Sequence, residues 1–291
     1  MRRVFYLMSG QAHLPYLTVS LHTLRRHWNG VVDVYAWPES FDIAARVCKA
    51  FGATCILVEP PYKGKNAQFV GKIQIARSFP ADDSNLYLDA DTTVHGDLSP
   101  LFEMVEIVGF VATQFSGWLT NTRGIISRME DLKRFRFQLA SIEALQRHPF
   151  PSVNGGVWAS ISSSLVLKKW VEYTVEALST FIPDEKVLHL LQVEFPPAEY
   201  LVACFNGKYN CSPKFQHPSL RDEDVVIYHY HGDCNVRPEG EGRKWAKSQK
   251  GYDLWWPLYQ HCLENNLGGI RDWQPTVRNR YIDYLKQEPV K

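Results

Sequence analysis

The chain has 291 residues, enough to bury one large hydrophobic core or two modest ones, and no linker-like segment divides it. Its 32 Lys and Arg residues nearly balance its 31 Asp and Glu residues, so the net charge of +1 gives no overall field to attract nucleic acid or an anionic membrane. No stretch approaches the ~20 apolar residues of a membrane span, and the N-terminal apolar run is too short for a signal peptide. We therefore expect one soluble, cytoplasmic domain that binds no nucleic acid.

Strands and helices alternate through the first part of the chain. Apolar runs predict strands at "RVFYLMSG", "VVDVYAW" and "TCILVE", with helices between them at "LPYLTVSLHTLRRHW" and "FDIAARVCKAFG". This alternation predicts a mainly parallel sheet with helices on both faces. In such sheets ligands bind beyond the carboxyl ends of the strands, so residues that directly follow a strand are candidates for the functional site.

A third helix is predicted at "FVGKIQIARSF", where the apolar residues follow one helical stripe. Lys72 and Arg77 fall outside that stripe, and a solvated helix surface is the ordinary expectation for both, Arg77 above all.

Two acids directly follow the next predicted strand, in "NLYLDADTTVHGDL". If the chain stays extended, Asp89 and Asp91 point to the same face, because side chains alternate along a strand. Two carboxylates so near each other repel unless a cation lies between them, so the pair predicts a metal-binding or phosphate-binding role. The alternative is an ordinary strand end, since Asp, Thr and Gly are also common turn residues.

The second half of the chain adds a strand at "GFVAT", an extended glycine-containing segment at "PSVNGGVWAS" and an amphipathic helix at "SSSLVLKKWVEYTVEALSTF". A further strand, "VVIYHYHGD", runs into Gly232, where a backbone could approach a phosphate closely. The same strand places His229 and His231 on one face, so either histidine could be a ligand.

Aromatic residues crowd the last sixty positions. We expect most of them in the core, although Trp and Tyr also make platforms for sugar rings. They include Trp245, Trp255, Trp256, Tyr259, Trp273, Tyr281 and Tyr284.

The six cysteines form no C-x-x-C pair and fit no common zinc template, so we expect reduced, mostly buried thiols. They are Cys48, Cys55, Cys204, Cys211, Cys234 and Cys262.

Taken in order, these motifs resemble the GT-A-fold nucleotide-sugar glycosyltransferases, and most closely the glycogenin and galactosyltransferase group known as family 8. The resemblance rests on "VFYLMSG", Lys72, "LYLDADTTVHGDLSPLF", "VNGGVW", "DEKVLHLL", "GKYNC" and "YHYHGDCN", and it covers about residues 3 to 238. It implies an α/β, Rossmann-like, mostly parallel sheet flanked by helices, with a helical, aromatic-rich C-terminal elaboration. It further implies one domain over 1–291, with a nucleotide-sugar-binding half at 1–105 and the acceptor side at 106–291.

The resemblance also implies roles for individual residues. Asp89, Asp91 and His229 would hold Mn²⁺ or Mg²⁺, with His231 as the rival histidine, and carboxylates with a single imidazole suit Mn²⁺ better than Zn²⁺. The donor would be bound by Ser9 and Gly10 at the base or ribose, by Lys72 at the pyrophosphate or sugar, and by Gly232 and Arg237 near the phosphates. The residues at the reacting centre would be Asn154, Asp184 and Glu185.

Three departures from the family pattern concern the substrate. Glu185 replaces a Gln, Lys186 replaces a second Asp, and Asn235 stands where a phosphate-binding Lys is expected, a change that Arg237 could offset. The donor sugar and the acceptor therefore cannot be carried over from any relative.

The implied activity is metal-dependent transfer of a sugar, with retention of configuration, from a nucleotide-diphosphate sugar, first of all a UDP-sugar, to a glycan or other hydroxyl acceptor. Glu185 could act as a nucleophile, as a general base or, the role we favour, as an acceptor of a sugar hydrogen bond. Two alternatives stay open. A nucleotidyltransferase acting on sugar phosphates usually carries a Gly-rich basic loop near its first strand, and "LMSGQAHLPY" lacks such a loop. A non-catalytic carbohydrate- or nucleic-acid-binding module would need aromatic and basic residues without a set of metal ligands.

Overall fold

A seven-stranded sheet lies at the centre of the computed structural model, which describes residues 1–64, 66–119, 143, 151–180, 182–194, 203–205, 207–214, 216, 218–230 and 249–276. The strands in chain order are β1 (Arg2–Met8), β2 (Val31–Ala36), β3 (Thr54–Leu57), β4 (Ser84–Leu88), β5 (Thr92–Val94), β6 (Phe110–Leu119), β7 (Pro151–Ile161), β8 (Ala203–Phe205) and β9 (Ile227–His229). The large sheet has the order β3-β2-β1-β4-β7-β6-β8, while β5 and β9 form a separate pair.

Within the large sheet only β7 runs against its neighbours: it pairs antiparallel with both β4 and β6, and the other pairs are parallel. The predicted α/β architecture with a mostly parallel sheet is therefore confirmed. The segment read from sequence only as extended is this reversed strand.

The described helices match the helices predicted from apolar periodicity and add several more. They are α1 (Leu14–Leu24), α2 (Pro38–Ala50), α3 (Ala67–Ser78), α4 (Ser99–Val108), α5 (Leu165–Glu176), α6 (Pro183–Glu194), α7 (Gln249–Glu264) and α8 (Ile270–Trp273). Gly52, two residues beyond α2, has a φ of 61°, which fits its predicted role in ending that helix.

Side chains on the two faces of the sheet pack into two separate hydrophobic cores. In β1, Val4, Tyr6 and Met8 enter one core, whereas Phe5 and Leu7 enter the other. The first core is closed by α1, α2, α4 and α7, and the second by α3, α5 and α6. A strand covered on both faces is expected to be apolar, and β1 is apolar and buried from Val4 to Met8.

The aromatic C-terminal region contributes to the first core. Trp255, Tyr259 and Trp273 are buried there, and the ring of Trp255 lies 5.1 Å from the ring of Tyr16 on α1. Their prediction as core residues is confirmed, whereas Trp245, Tyr281 and Tyr284 lie outside the described residues.

The predicted thiols are free where the structure describes them. Cys48, Cys211 and Cys262 are buried and Cys55 is half-buried, while the side chains of Cys204 and Cys234 lie outside the described part of the chain. Among the helices described, none has the length and apolarity needed to cross a bilayer.

Candidate functional site

The acids of "DAD" lie at the carboxyl edge of the sheet, directly after β4. The sequence suggested that strand alternation brings the Asp89 and Asp91 side chains to one face. Strand β4 ends at Leu88, however, so alternation along a strand is not what places them together. The segment turns there instead, and the Thr92 hydroxyl donates to the Asp89 carbonyl oxygen over 2.8 Å. The two carboxylates converge all the same, because both face the same histidine.

That histidine is His229, on the neighbouring strand β9. Strand β9 pairs with β5 so that His229 stands opposite Thr92, and the Tyr230 amide donates to the Asp91 carbonyl oxygen over 3.0 Å. His229 Nε2 then lies 3.2 Å from Asp91 Oδ1 and 3.6 Å from Asp89 Oδ2. His231, the rival from sequence, lies outside the described residues, as do Gly232, Asn235 and Arg237.

One ligand atom from each of Asp89, Asp91 and His229 lies within 4.8 Å of the other two, which is a suitable arrangement for a metal ion. The imidazole is 3% exposed, but the carboxylates of Asp89 and Asp91 are 33% and 24% exposed, so a ligand can reach them from solvent. Burial disfavours the charged imidazole, yet the two carboxylates outweigh burial and raise the pKa of His229. The cluster thus attracts positive charge, and its hard oxygen donors with one imidazole fit Mn²⁺ or Mg²⁺.

Gly156 on β7 leaves the space that this cluster occupies. A Cβ at this position would lie 2.0 Å from His229 Cε1 and 2.6 Å from Asp89 Oδ2, well inside the contact distance of real atoms. Its carbonyl oxygen also accepts a 2.7 Å hydrogen bond from the Asp89 amide. A residue without a side chain is therefore required for β7 to pass the cluster at this distance.

The preceding residue, Gly155, plays the same part beside a buried ion pair. Lys72 Nζ lies 2.7 Å from Asp184 Oδ2 and donates to the Gly155 carbonyl oxygen over 2.7 Å. A Cβ on Gly155 would lie 2.5 Å from Asp184 Oδ2. Lys72 is only 4% exposed, so the solvated helix surface that α3 suggested for this residue is wrong, whereas Arg77 is exposed as expected.

The charges around this pair determine its protonation. Burial opposes the Lys72 charge, but Asp184 and then Asp89 outweigh burial and raise the pKa of Lys72. Burial also raises the pKa of Asp184 despite the attraction of Lys72. The second carboxylate oxygen, Asp184 Oδ1, is buried and accepts no hydrogen bond of normal geometry from the described residues.

Asn154 and Glu185 are joined directly. Asn154 Nδ2 donates to Glu185 Oε2 over 2.9 Å, and Asn154 Oδ1 accepts from the Gly156 amide over 2.7 Å. The β7 segment Asn-Gly-Gly therefore contacts the first turn of α6, where Asp184 and Glu185 lie. All three residues predicted at the reacting centre are in one place.

Ser9 and Gly10 follow β1 at the same edge of the sheet. Strand β1 pairs in parallel with β4, with Phe5 opposite Tyr87, so the end of β1 lies beside the start of the "DAD" segment. The side-chain Nε2 of Gln11 donates to the Glu39 carbonyl oxygen over 2.6 Å and links this loop to the start of α2.

Tyr87 is a residue of the site that sequence reasoning did not identify. Its hydroxyl donates to Asp89 Oδ1 over 2.6 Å, and Lys72 Nζ lies 5.2 Å from the centre of its ring. Burial, followed by the Asp89 charge, raises the pKa of the Tyr87 hydroxyl far above its ordinary value, so the hydroxyl stays a donor. Its position two residues before Asp89 was the available signal, since the side chain of a strand residue and that of the residue two further on share a face.

No protein-family model and no curated protein sequence matches the chain. Solved structures do. The galactosyltransferase LgtC, solved with donor and acceptor sugar analogues, is 15% identical, with a TM-score of 0.57 over 89% of this chain and 95% of that chain. Mouse xyloside xylosyltransferase 1 is 14% identical, with a TM-score of 0.54 over 81% of this chain and 99% of that chain.

The glycosyltransferase GlyE of Streptococcus pneumoniae is 17% identical, with a TM-score of 0.55 over 96% of this chain and 65% of that chain. At these identities the likeness establishes the fold. The GT-A glycosyltransferase fold expected from the order of the motifs is confirmed.

Proposed function

We propose that the protein is a metal-dependent glycosyltransferase that takes a sugar from a nucleotide-diphosphate sugar, with a UDP-sugar as the first candidate donor. The observation that carries the proposal is the convergence of Asp89, Asp91 and His229 at the carboxyl edge of a GT-A sheet. The Lys72 and Asp184 ion pair lies directly beside this cluster.

The division of labour follows from the positions of the side chains. Ser9 and Gly10 would bind the nucleoside at the end of β1, and Asp89, Asp91 and His229 would hold Mn²⁺ or Mg²⁺. The ion would supply Lewis-acid chemistry that neutralises negative charge on the departing nucleoside diphosphate. In this proposal Lys72 adds a buried positive charge next to the donor diphosphate. Gly232 and Arg237 would bind the phosphates as well.

The sugar belongs on the side of Asn154, Asp184 and Glu185. Asp184 Oδ1 accepts no hydrogen bond of normal geometry from the described residues, which leaves this carboxylate with an unused acceptor beside the proposed sugar position. Glu185 shares a hydrogen bond with Asn154, which supports the role of a positioned acceptor for a sugar hydroxyl over that of a nucleophile. We propose transfer with retention of configuration to a glycan or other hydroxyl acceptor.

One similar solved structure is an active-site variant of LgtC with glutamate in place of glutamine. The motif resemblance places the same kind of exchange at Glu185, so this chain carries a carboxylate where relatives carry an amide. The proposal covers a hexosyl or a pentosyl donor.

The proposal extends to the whole chain. Residues 1–105 form the nucleotide-sugar-binding half, and residues 106–291 supply the acceptor side and the C-terminal elaboration. A cytoplasmic location belongs to the same proposal, and cell fractionation with an antibody to the protein tests it.

Donor hydrolysis tests the activity directly. A panel of sugar nucleotides is incubated with the protein in Mn²⁺, and nucleoside diphosphate release is followed with and without EDTA. Slow release from one donor that stops in EDTA supports the proposal. The absence of both nucleoside diphosphate release and calorimetric binding for every sugar nucleotide would refute the proposal. Pyrophosphate release from a nucleoside triphosphate and a sugar phosphate would identify a nucleotidyltransferase instead.

A further inference from the structure

The imidazole of His229 makes a second contact on the side away from the acids. His229 Nδ1 lies 2.9 Å from Asn210 Oδ1, and Asn210 is fully buried just after the turn Gly207–Tyr209. The "GKYNC" segment that contains Asn210 belonged to the motif series, but nothing in the proposed chemistry uses it.

The contact continues into the sheet. Asn210 Nδ2 donates to Thr113 Oγ1 over 3.0 Å, and the Thr113 hydroxyl donates to the Val157 carbonyl oxygen over 2.5 Å. Thr113 is on β6 and is also fully buried. Val157 directly follows Gly156, so this chain of hydrogen bonds ends on the strand that passes the cluster.

The direction of every bond in this chain is determined by its last member. A carbonyl oxygen can only accept, so the Thr113 hydroxyl spends its single proton on Val157. Thr113 Oγ1 must then accept from Asn210, which places the amide NH₂ group at Thr113 and the amide oxygen at His229. An amide oxygen accepts only, so His229 Nδ1 must carry a proton.

In a neutral imidazole with its proton on Nδ1, the lone pair is on Nε2, the nitrogen that faces Asp89 and Asp91. We propose that Asn210 and Thr113 are positioning residues: together they select the His229 tautomer and ring orientation that make Nε2 a metal ligand. This inference rests on the proposed metal-dependent function. A partner on the second nitrogen of a ligating histidine commonly changes metal affinity by about 10–100-fold.

Thr113→Val is the sharpest test, because it removes only the hydroxyl and touches neither His229 nor the acids. Without that hydroxyl the Asn210 amide can rotate and offer its NH₂ group to Nδ1, which would move the proton to Nε2 and block the ligand position. We expect Mn²⁺ affinity, measured by electron paramagnetic resonance of unbound Mn²⁺ without nucleotide, to fall about 10-fold in Thr113→Val and by up to about 100-fold in Asn210→Leu.

Two variants serve as matched controls. Thr113→Ser keeps the hydroxyl and should restore wild-type Mn²⁺ affinity. Thr18→Val removes an equally buried hydroxyl that donates to the Leu14 carbonyl oxygen on α1, so it should cost stability without changing Mn²⁺ affinity. In the Mg²⁺-loaded wild type, ¹⁵N spectra of labelled histidine should show His229 protonated on Nδ1.

The outcomes separate this inference from the proposed function. Wild-type protein that binds no Mn²⁺ would refute the metal site and this inference with it. Wild-type binding that Thr113→Val and Asn210→Leu leave unchanged, or equal losses in Thr113→Val and Thr18→Val, would refute the positioning role alone.

Discussion

The absence of a side chain at Gly156 decides whether His229 can stand beside Asp89. Strands β7 and β9 are distant in the sequence, yet they lie so close here that a Cβ on Gly156 would come within 2.0 Å of His229 Cε1. Metal ligands on short strands and loops need such close packing to hold their geometry, because a shift of one ångström removes a ligand.

Gly156→Ala should therefore damage the cluster more than the fold. The added methyl group must displace His229 or Asp89, at a cost of about 1–3 kcal/mol in stability, and Mn²⁺ affinity should fall by at least about 10-fold. Gly96→Ala is the matched control, since its methyl group would meet Val226 at an ordinary 3.4 Å. Equal Mn²⁺ affinity in the two alanine variants, measured by electron paramagnetic resonance, would contradict the predicted overlap of the Gly156→Ala methyl group with His229 and Asp89.

Glu185→Gln tests the role of the carboxylate that replaces the family's amide. A Gln side-chain oxygen can still accept from Asn154, so a positioning role predicts sugar transfer within about 10-fold of wild type. Loss of several orders of magnitude, with a glycosyl adduct on the wild-type protein in mass spectra, would identify Glu185 as a nucleophile instead.

Part of this site could be predicted from sequence, and the reason lies in how each residue is signalled. Asp89 and Asp91 stand out because carboxylates directly follow an apolar strand. Periodicity could not reveal the buried ion pair of Lys72 with Asp184. A lysine outside an apolar stripe has the sequence pattern of a solvated residue whether or not it pairs with a distant acid. Thr113 carries no local pattern, and the "GKYNC" motif does not reveal what Asn210 contacts, since only the folded chain brings these two residues to His229.

At the scale of elements, α1 and α7 meet through a pair of histidines. The rings of His22 and His261 lie 4.9 Å apart, and Arg26 Nη2 lies 2.7 Å from His22 Nε2. Burial, followed by the charge of Arg26 and the proximity of His261, lowers the pKa of His22 to about 4. A positive charge on His22 would thus be unfavourable in the folded protein.

This contact predicts a loss of stability in mild acid. The pKa of His22 is about 4 in the folded chain and 6.5 in the unfolded chain, so between these values the unfolded chain binds more protons. The contribution is fully present above pH 6.5 and is lost as the pH falls toward 4. Urea unfolding at pH 7.5 and 5 measures how much free energy of unfolding is lost on acidification, and this loss should be smaller for His22→Phe than for wild type. The control His13→Gln, at an exposed position, should lose as much as wild type. Identical losses in all three proteins would contradict the prediction.

The elements themselves were largely predictable where the local period was clear. The alternation of β1, α1, β2, α2 and β3 follows from apolar spacing and from Gly52, and these are the elements in which local preference and tertiary packing agree. The reversed direction of β7 was not predictable, because a two-residue period gives a strand without its orientation. The end of β4 at Leu88 was missed for a related reason, since "DADTTV" is compatible both with continued extension and with a turn.

At the scale of the whole molecule, the first and second halves contribute different chemistry to one edge of the sheet. The residues that could hold a cation come from both halves, Asp89 and Asp91 from the first and His229 from the second. The C-terminal helices α7 and α8 pack into the first core, where Trp273 is buried and donates to the Gly268 carbonyl oxygen. Truncation before Gly268 would therefore test folding and not acceptor binding.

A shorter truncation tests the proposed acceptor side. Removal of residues 277–291 keeps α7 and α8, so donor hydrolysis should remain near the wild-type rate. Transfer to an acceptor should fall if the proposed acceptor side includes Tyr281 and Tyr284, since Tyr side chains can serve as platforms for sugar rings. Parallel assays of hydrolysis and transfer on the truncated protein measure this. Equal loss of both activities would indicate that residues 277–291 stabilise the folded chain and have no separate role in binding the acceptor.

The central claim, that Asp89, Asp91 and His229 hold a divalent cation against a nucleoside diphosphate, is tested most directly by thermal unfolding with and without Mn²⁺ plus UDP. Wild-type protein should gain about 2.7 kcal/mol at ligand concentrations 100 times Kd, and Asp91→Asn, which keeps the side-chain volume but removes one anionic ligand, should gain little. Asp97→Asn, at an exposed acid that accepts a hydrogen bond from the Ser99 amide, should gain as much as wild type. A wild-type melting temperature that the two ligands leave unchanged, or an equal rise in Asp91→Asn, would contradict the account and return the two acids to the role of ordinary strand-end residues.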